Sequence, residues 1–154
     1  MVEDDISILK SGPQLTFTLR EGLFNLELIE QNHPDAKKNE LSNFRDTLEK
    51  VMFSQPNFWE KHYHGDDAEL KYSCAFSFSD RSRYYLSNNE IKNSIEKLLE
   101  NLTKWGIPLP LLIQFLPMQY KKVTECSLEN NPKVILLDLI VDVLECYHRA
   151  TRVI

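Results

Sequence analysis

Two arginines and two tyrosines fall within six residues, DRSRYY at 80–85, the densest group in the chain able to hold an anion. As a strand over 81–86, the segment alternates Arg81 and Arg83 on one face with Ser82 and Tyr84 on the other. Two guanidiniums on one face suit a sugar phosphate, whose oxygens match their forked donors. The competing use is structural and commoner: ion pairs with acids of neighbouring elements while Tyr84 and Tyr85 pack. A second candidate is Lys10-Ser11-Gly12-Pro13, where a glycine lets backbone N–H groups approach a phosphate. A helix starting at Pro13 would aim its positive end there. A plain turn explains the same residues, and no GxxxxGK[ST] pattern accompanies them. His62, His64 and Asp66 stand in HYHGD, an H-x-H spacing able to give a metal two ligands, with Asp67 or His33 as a third. A solvated aromatic loop is the plainer reading, and no metal is assigned.

No nucleophile arrangement stands out. The serines lack a GxSxG setting, and Cys74, Cys126 and Cys146 include no CxxC pair, so reduced thiols are expected. Asp4-Asp5 and Asp66-Asp67 sit at loop or helix starts, where capping accounts for them. Phe53, Phe58, Trp59, Tyr63 and Tyr72 suit a core or a subunit contact, and His148 beside Arg149 suits a helix C-terminus. No catalytic residue is assigned.

Elements must position these groups. Residues 6–10 alternate as a short strand, and 14–31 carry Leu15, Leu19, Phe24 or Leu23, Leu26 and Ile29 at helical spacing. Asp35 is placed to cap a helix over 35–54, striped by Leu41, Phe44, Leu48, Val51 and Met52 and stopped by Pro56. A short helix over 66–76 follows, then the strand at 81–86. Ser87 and Glu90 make a capping box for a helix that Gly106 ends. Pro108 and Pro110 stiffen the entry to a helix over 111–126, broken at Pro117. Pro132 opens a last helix to about 150, apolar on most sides, which therefore expects several packing partners. Two short strands so far apart make no stable sheet alone.

With 154 residues and 42% hydrophobic content, the chain is long and apolar enough for one domain with a core. A net charge of -5 argues against binding a nucleic-acid backbone. The longest apolar run, 134–144, contains Asp138 and Asp142 and falls far short of the roughly 20 residues a membrane helix needs. The acidic start MVEDDISILK is unlike a signal peptide, so a cytoplasmic location is expected.

In order along the chain, SGPQLTFTLREGLFNLELIE, FWEKHYHGD, SDRSRYY, IPLPLLIQFLPMQY and DVLECYHRA resemble the C-terminal part of the non-catalytic subunit of class II D-tagatose-1,6-bisphosphate aldolase. The resemblance covers nearly the whole chain. It implies an α/β fold, the (β/α)₈ TIM barrel, of which about 250 residues are typical, so this chain would hold only its last portion. That portion is mostly α-helical, with about two short strands: the last β/α units over 1–105 and a helical extension over 106–154. Lys10, Ser11 and Gly12 would then lie at the end of a barrel strand, on the face where such folds bind ligands.

The implied role is support of a catalytic aldolase subunit, which cleaves D-tagatose 1,6-bisphosphate with its own zinc in D-tagatose 6-phosphate breakdown, from galactitol or N-acetylgalactosamine. The chain itself is expected to carry no cofactor and no catalysis. Its partners would be that subunit and the N-terminal part of the barrel. Ile107, Leu109, Leu112, Phe115, Leu116 and Tyr120 are the candidate partner contacts, because binding energy concentrates in apolar anchors. Two alternatives are a phosphosugar-binding remnant, since relatives are also called tagatose 6-phosphate kinases, and a stand-alone helical adaptor.

Overall fold

The computed structural model describes residues 12–151, so the strand expected at 6–10 lies outside the described residues. Helix α1, Gly12–Asn32, is the axis of the fold. Its inward face carries Leu23, Leu26 and Ile29, all fully buried, at the helical spacing expected of it. Gly22 is the reason the last helix can lie close: a Cβ there would meet the Leu136 and Leu139 side chains at 2.8 Å.

Helix α2 spans Phe44–Ser54, nine residues later than the start expected at Asp35. Asp35 makes no side-chain cap; the chain turns once through the 3₁₀ turn Ala36–Lys38 and then extends at Asn39. Two carboxylates of α1 set the later start. Glu30 accepts from the Ser42 N–H at 3.1 Å, and Glu27 accepts from the Arg45 N–H at 3.1 Å. The N-terminus of α2 is thus capped from a neighbouring helix, while Asn43, in the left-handed region at φ 48°, gives no side-chain cap. Asn101 adds a 2.6 Å bond to Glu30 and ties the fourth helix to the same joint.

After the 3₁₀ turn Pro56–Phe58, Trp59 is buried and donates from Nε1 to the Met52 carbonyl at 2.8 Å. Helix α3, Asp67–Phe76, begins with a full capping box between Asp66 and Glu69. Among the described residues there is no strand. The segment expected as a strand at 81–86 is a 3₁₀ turn, Ser82–Tyr84. The cause is local: Asp80 Oδ1 accepts from both the Ser82 N–H (3.0 Å) and its hydroxyl (2.7 Å). Such a side-chain loop draws the backbone into a turn and competes with extended pairing.

Helix α4, Asn89–Trp105, is capped by Asn88, one residue beyond the Ser87 expected, and ends at Gly106 with φ 78°. Helices α5, Leu109–Phe115, and α6, Pro117–Thr124, meet at the expected break. Helix α7, Pro132–Thr151, packs along α1. Its interrupting aspartates face α6, where Lys122 Nζ lies 2.8 Å from Asp138 and 2.6 Å from Asp142. One apolar core joins Leu26 of α1, Met52 of α2, Leu98 of α4, Leu112 of α5 and Ile135 of α7. No helix of the described residues is long and apolar enough to cross a membrane.

Candidate functional site

The DRSRYY turn is anchored from beneath by an ion pair. Arg20 of α1 and Asp80 are both buried, with Nη1 and Oδ1 2.7 Å apart, and the Arg20 guanidinium lies 4.7 Å from the Phe17 ring centre. The same Oδ1 holds Ser82. Tyr63 braces the other side, donating from its hydroxyl to the Ser79 carbonyl at 2.8 Å and accepting from the Arg81 N–H at 3.2 Å. Burial pushes the Tyr63 phenol above its ordinary ionisation range, so the hydroxyl stays a donor.

Above this base the two candidate arginines lie on one turn and not along one face of a strand. Arg83 Nη2 donates to the Tyr84 hydroxyl at 2.7 Å, and its guanidinium lies 4.7 Å from that ring. The Arg83 hydrogen bond, with the charges of Arg83 and Arg81 behind it, holds the Tyr84 phenol below its usual range. Neither arginine pairs with a carboxylate among the described residues. The Nε of Arg81 is buried without a hydrogen-bond partner. Tyr84 is exposed and stacks on Phe58 at 5.1 Å, whereas Tyr85 is buried. The arrangement is cationic, with no nucleophile and no paired acid and base among Arg81, Arg83 and Tyr84.

Of the other candidates, Gly12 opens α1 with open space around it, and Lys10 and Ser11 lie outside the described residues. His62 and His64 are exposed, Asp66 is a helix cap, and His33 is buried against Trp105 with Nδ1 accepting from the Asp35 N–H. Among the described residues no three His, Cys, Asp or Glu side chains are gathered as a metal site would need. Cys74 is buried and its thiol is pushed up to about 11, which leaves it unreactive.

The candidate partner contacts divide. Ile107, Leu112 and Leu116 are buried in the chain's own core, Phe115 and Tyr120 pack against it, and Leu109 is exposed. Other apolar side chains are left uncovered: Ile113 and Met118 beside Leu109, and Leu137, Val141 and Leu144 along α7. A groove of about 560 Å³ runs between α1, α2 and α3, where Phe17, Phe24, Leu28 and Phe76 stand among charged side chains such as Glu21, Arg45 and Glu49. Phe78 stacks on Phe17 at 5.3 Å and is 87% exposed, the most open large apolar side chain among the described residues.

Sequence reasoning missed the Arg20–Asp80 pair and the capping carboxylates Glu27 and Glu30. A signal was present: residues 20, 23, 27 and 30 share one helical face, so three charged side chains sit in register with Leu23 of the core. Charges in that register are tolerated only when partnered.

The family model described as D-tagatose-1,6-bisphosphate aldolase subunit GatZ/KbaZ-like matches residues 1–152. The chain belongs to this family. A crystal structure described as a probable tagatose 6 phosphate kinase from Sinorhizobium meliloti 1021 is similar, with a TM-score of 0.80 and 33% identity over 90% of this chain. The match takes up 35% of that relative, so the GatZ/KbaZ-like chain spans about a third of its length. The helical fold described above is therefore that of a portion of a larger family architecture.

Proposed function

We propose that this GatZ/KbaZ-like chain acts as the C-terminal part of a non-catalytic aldolase subunit that stabilises and fully activates a zinc-dependent catalytic subunit. Residues 1–105 would supply the last units of a (β/α)₈ barrel and 106–154 a helical extension. The rest of the barrel would come from further family sequence. The catalytic partner would cleave D-tagatose 1,6-bisphosphate, in the cytoplasm, with zinc held by its own residues. The observation that carries this reading is the uncovered aromatic pair Phe76 and Phe78, with the Leu137, Val141 and Leu144 stripe of α7. A stand-alone domain rarely leaves such strips open, and docked subunits need them. Purified alone, the chain is expected to bind a hydrophobic dye. Added to the catalytic aldolase subunit, it is expected to prolong activity on heating. A sharp melting transition without dye binding, together with no change in the partner's thermal half-life, would favour a helical adaptor instead.

A second reading, phosphosugar binding or phosphotransfer, draws on the name of the Sinorhizobium relative and on Arg81 and Arg83, neither of which pairs with a carboxylate among the described residues. The sequence has no GxxxxGK[ST] pattern to cradle ATP phosphates, which weighs against the kinase form. ATP turnover with tagatose 6-phosphate as acceptor is expected to be nil; measurable transfer would reverse the order of the two readings.

A further inference from the structure

We infer that the groove between α1, α2 and α3 is a docking site for an amphipathic helix with basic flanks, carried by a partner protein. Its shape suits a rod. Along α1 it is lined at Phe17, Glu21, Phe24, Leu28 and Gln31, steps of four and three that keep to one face of the helix. From residue 17 to residue 31 that face runs about 21 Å at the α-helical rise. The far wall is Arg45, Asp46 and Glu49 of α2, followed by Ala75 and Phe76 of α3. A trough of that length, with a volume of about 560 Å³, accommodates a helix lying along it, whereas a small molecule asks for a closed cup. Its floor is apolar and open: Leu28 is 39% and Phe76 41% exposed, and Phe17 and Phe24 are half-buried.

The charge around that floor selects the occupant. Of the charged side chains lining the groove, Arg20 is engaged by Asp80 and Glu27 by the Arg45 amide. Glu21 remains on one wall and Asp46 and Glu49 on the other, against the single guanidinium of Arg45. Among the described residues Glu21 and Asp46 meet no cation at ion-pair distance, and Glu49 meets Lys71 at 3.1 Å. Arg45 lies across the floor, its guanidinium 5.0 Å from the Phe76 ring centre and 5.7 Å from that of Phe24, so these rings already hold one cation by their faces. Burial raises the Glu27 carboxyl, and the charges of Glu30 and Asp46 raise it further against the pull of the Arg45 amide, which marks a negative field along this wall. Carboxylates on both lips of an apolar floor favour a helix whose apolar stripe is bordered by Lys or Arg, and repel one bordered by acids.

The inference deepens the subunit reading and rests on it only for which protein supplies the helix. The probe is a fluorescein-labelled peptide of about 14 residues, with leucines on one helical face and lysines elsewhere. One twin carries glutamate in place of lysine, and another has the same residues scrambled so that no face is apolar. Anisotropy titration with the 154-residue chain at about 0.15 M salt is expected to give saturable binding of the lysine helix, about tenfold weaker binding of the glutamate twin and none of the scrambled one. Leu28→Gln should weaken the lysine helix about fivefold, and Glu21→Lys should narrow the gap between the charged twins about threefold. Both side chains are exposed, so both variants should keep the melting temperature of the parent. Equal binding of the scrambled or the glutamate twin, or binding unchanged in Leu28→Gln and lost in Leu144→Ser on α7, would overturn the site. A dimer of the chain alone that Leu28→Gln dissociates would also overturn it, by giving the groove to a second copy. Peptide binding as expected without co-elution of the catalytic aldolase subunit would uphold the groove and end the subunit reading; co-elution without peptide binding would overturn the groove and leave that reading standing.

Discussion

The inner face of α1 and the turn at 81–84 treat charge in opposite ways. Along α1 the charges sit in the core with their positions set: Arg20 on Asp80, Glu27 on the Arg45 amide, Glu30 on Ser42 and Asn101. At the turn, Arg81 and Arg83 are half-buried; Arg83 donates to the Tyr84 phenol, and the Arg81 Nε is buried without a partner. Removing a partner from the first region leaves a buried charge uncompensated, while removing the Tyr84 hydroxyl from the second leaves Arg83 half-exposed and still reached by water. The first region therefore reports on folding and the second on recognition.

Breaking the buried pair should have the largest effect. Asp80→Ala strands Arg20 and frees Ser82, and is expected to cost about 3–5 kcal/mol, read as a fall of roughly 10 °C or more in melting temperature. A loss within about 1 kcal/mol would make the pair no more than a surface contact. Next comes Glu30→Ala, which removes the acceptor for the Ser42 amide, its hydroxyl and Asn101. About 2–3 kcal/mol is expected from denaturant unfolding.

The pH response sharpens the same contrast. Burial raises the Glu27 carboxyl above its ordinary value, against the pull of the Arg45 amide. The folded state then binds this proton more tightly than the unfolded state. Its contribution is full below about pH 4 and declines as pH rises through the folded value, with the sign opposite to a salt-bridged acid. Glu27→Gln should remove that decline from a stability-against-pH series, and an identical slope in the variant would contradict it. Phe78→Ser, on an open side chain, should move the melting temperature by less than about 0.5 kcal/mol equivalent yet reduce dye binding. A large loss of stability there would make Phe78 part of the core and not of a docking face.

Legibility differed by region for physical reasons. Helices α1, α4 and α7 were plain from apolar spacing and from Gly106 and Pro132, since these signals are local and nothing overrides them. The aspartates interrupting α7 looked like defects in an apolar run, because Lys122 lies on another helix. The late start of α2 was hidden for the same reason: its caps are supplied by Glu27 and Glu30, not by Asp35. DRSRYY alternates like a strand, but Asp80 bonds to Ser82 and curls the backbone. The two arginines lie on that turn, where the 3₁₀ winding no longer sets residues two apart on one face as a strand would. The partner-contact block was half hidden too: apolar content does not say which side chains, such as Leu112 or Leu109, face the chain's own core.

The subunit role is tested most directly by mixing the purified chain with the catalytic aldolase subunit and measuring mass in solution after size exclusion. Co-elution as a complex is predicted, weakened by Phe78→Ser with the fold intact. Separate elution of both proteins, with this chain a cooperative monomer that binds no dye, would contradict it.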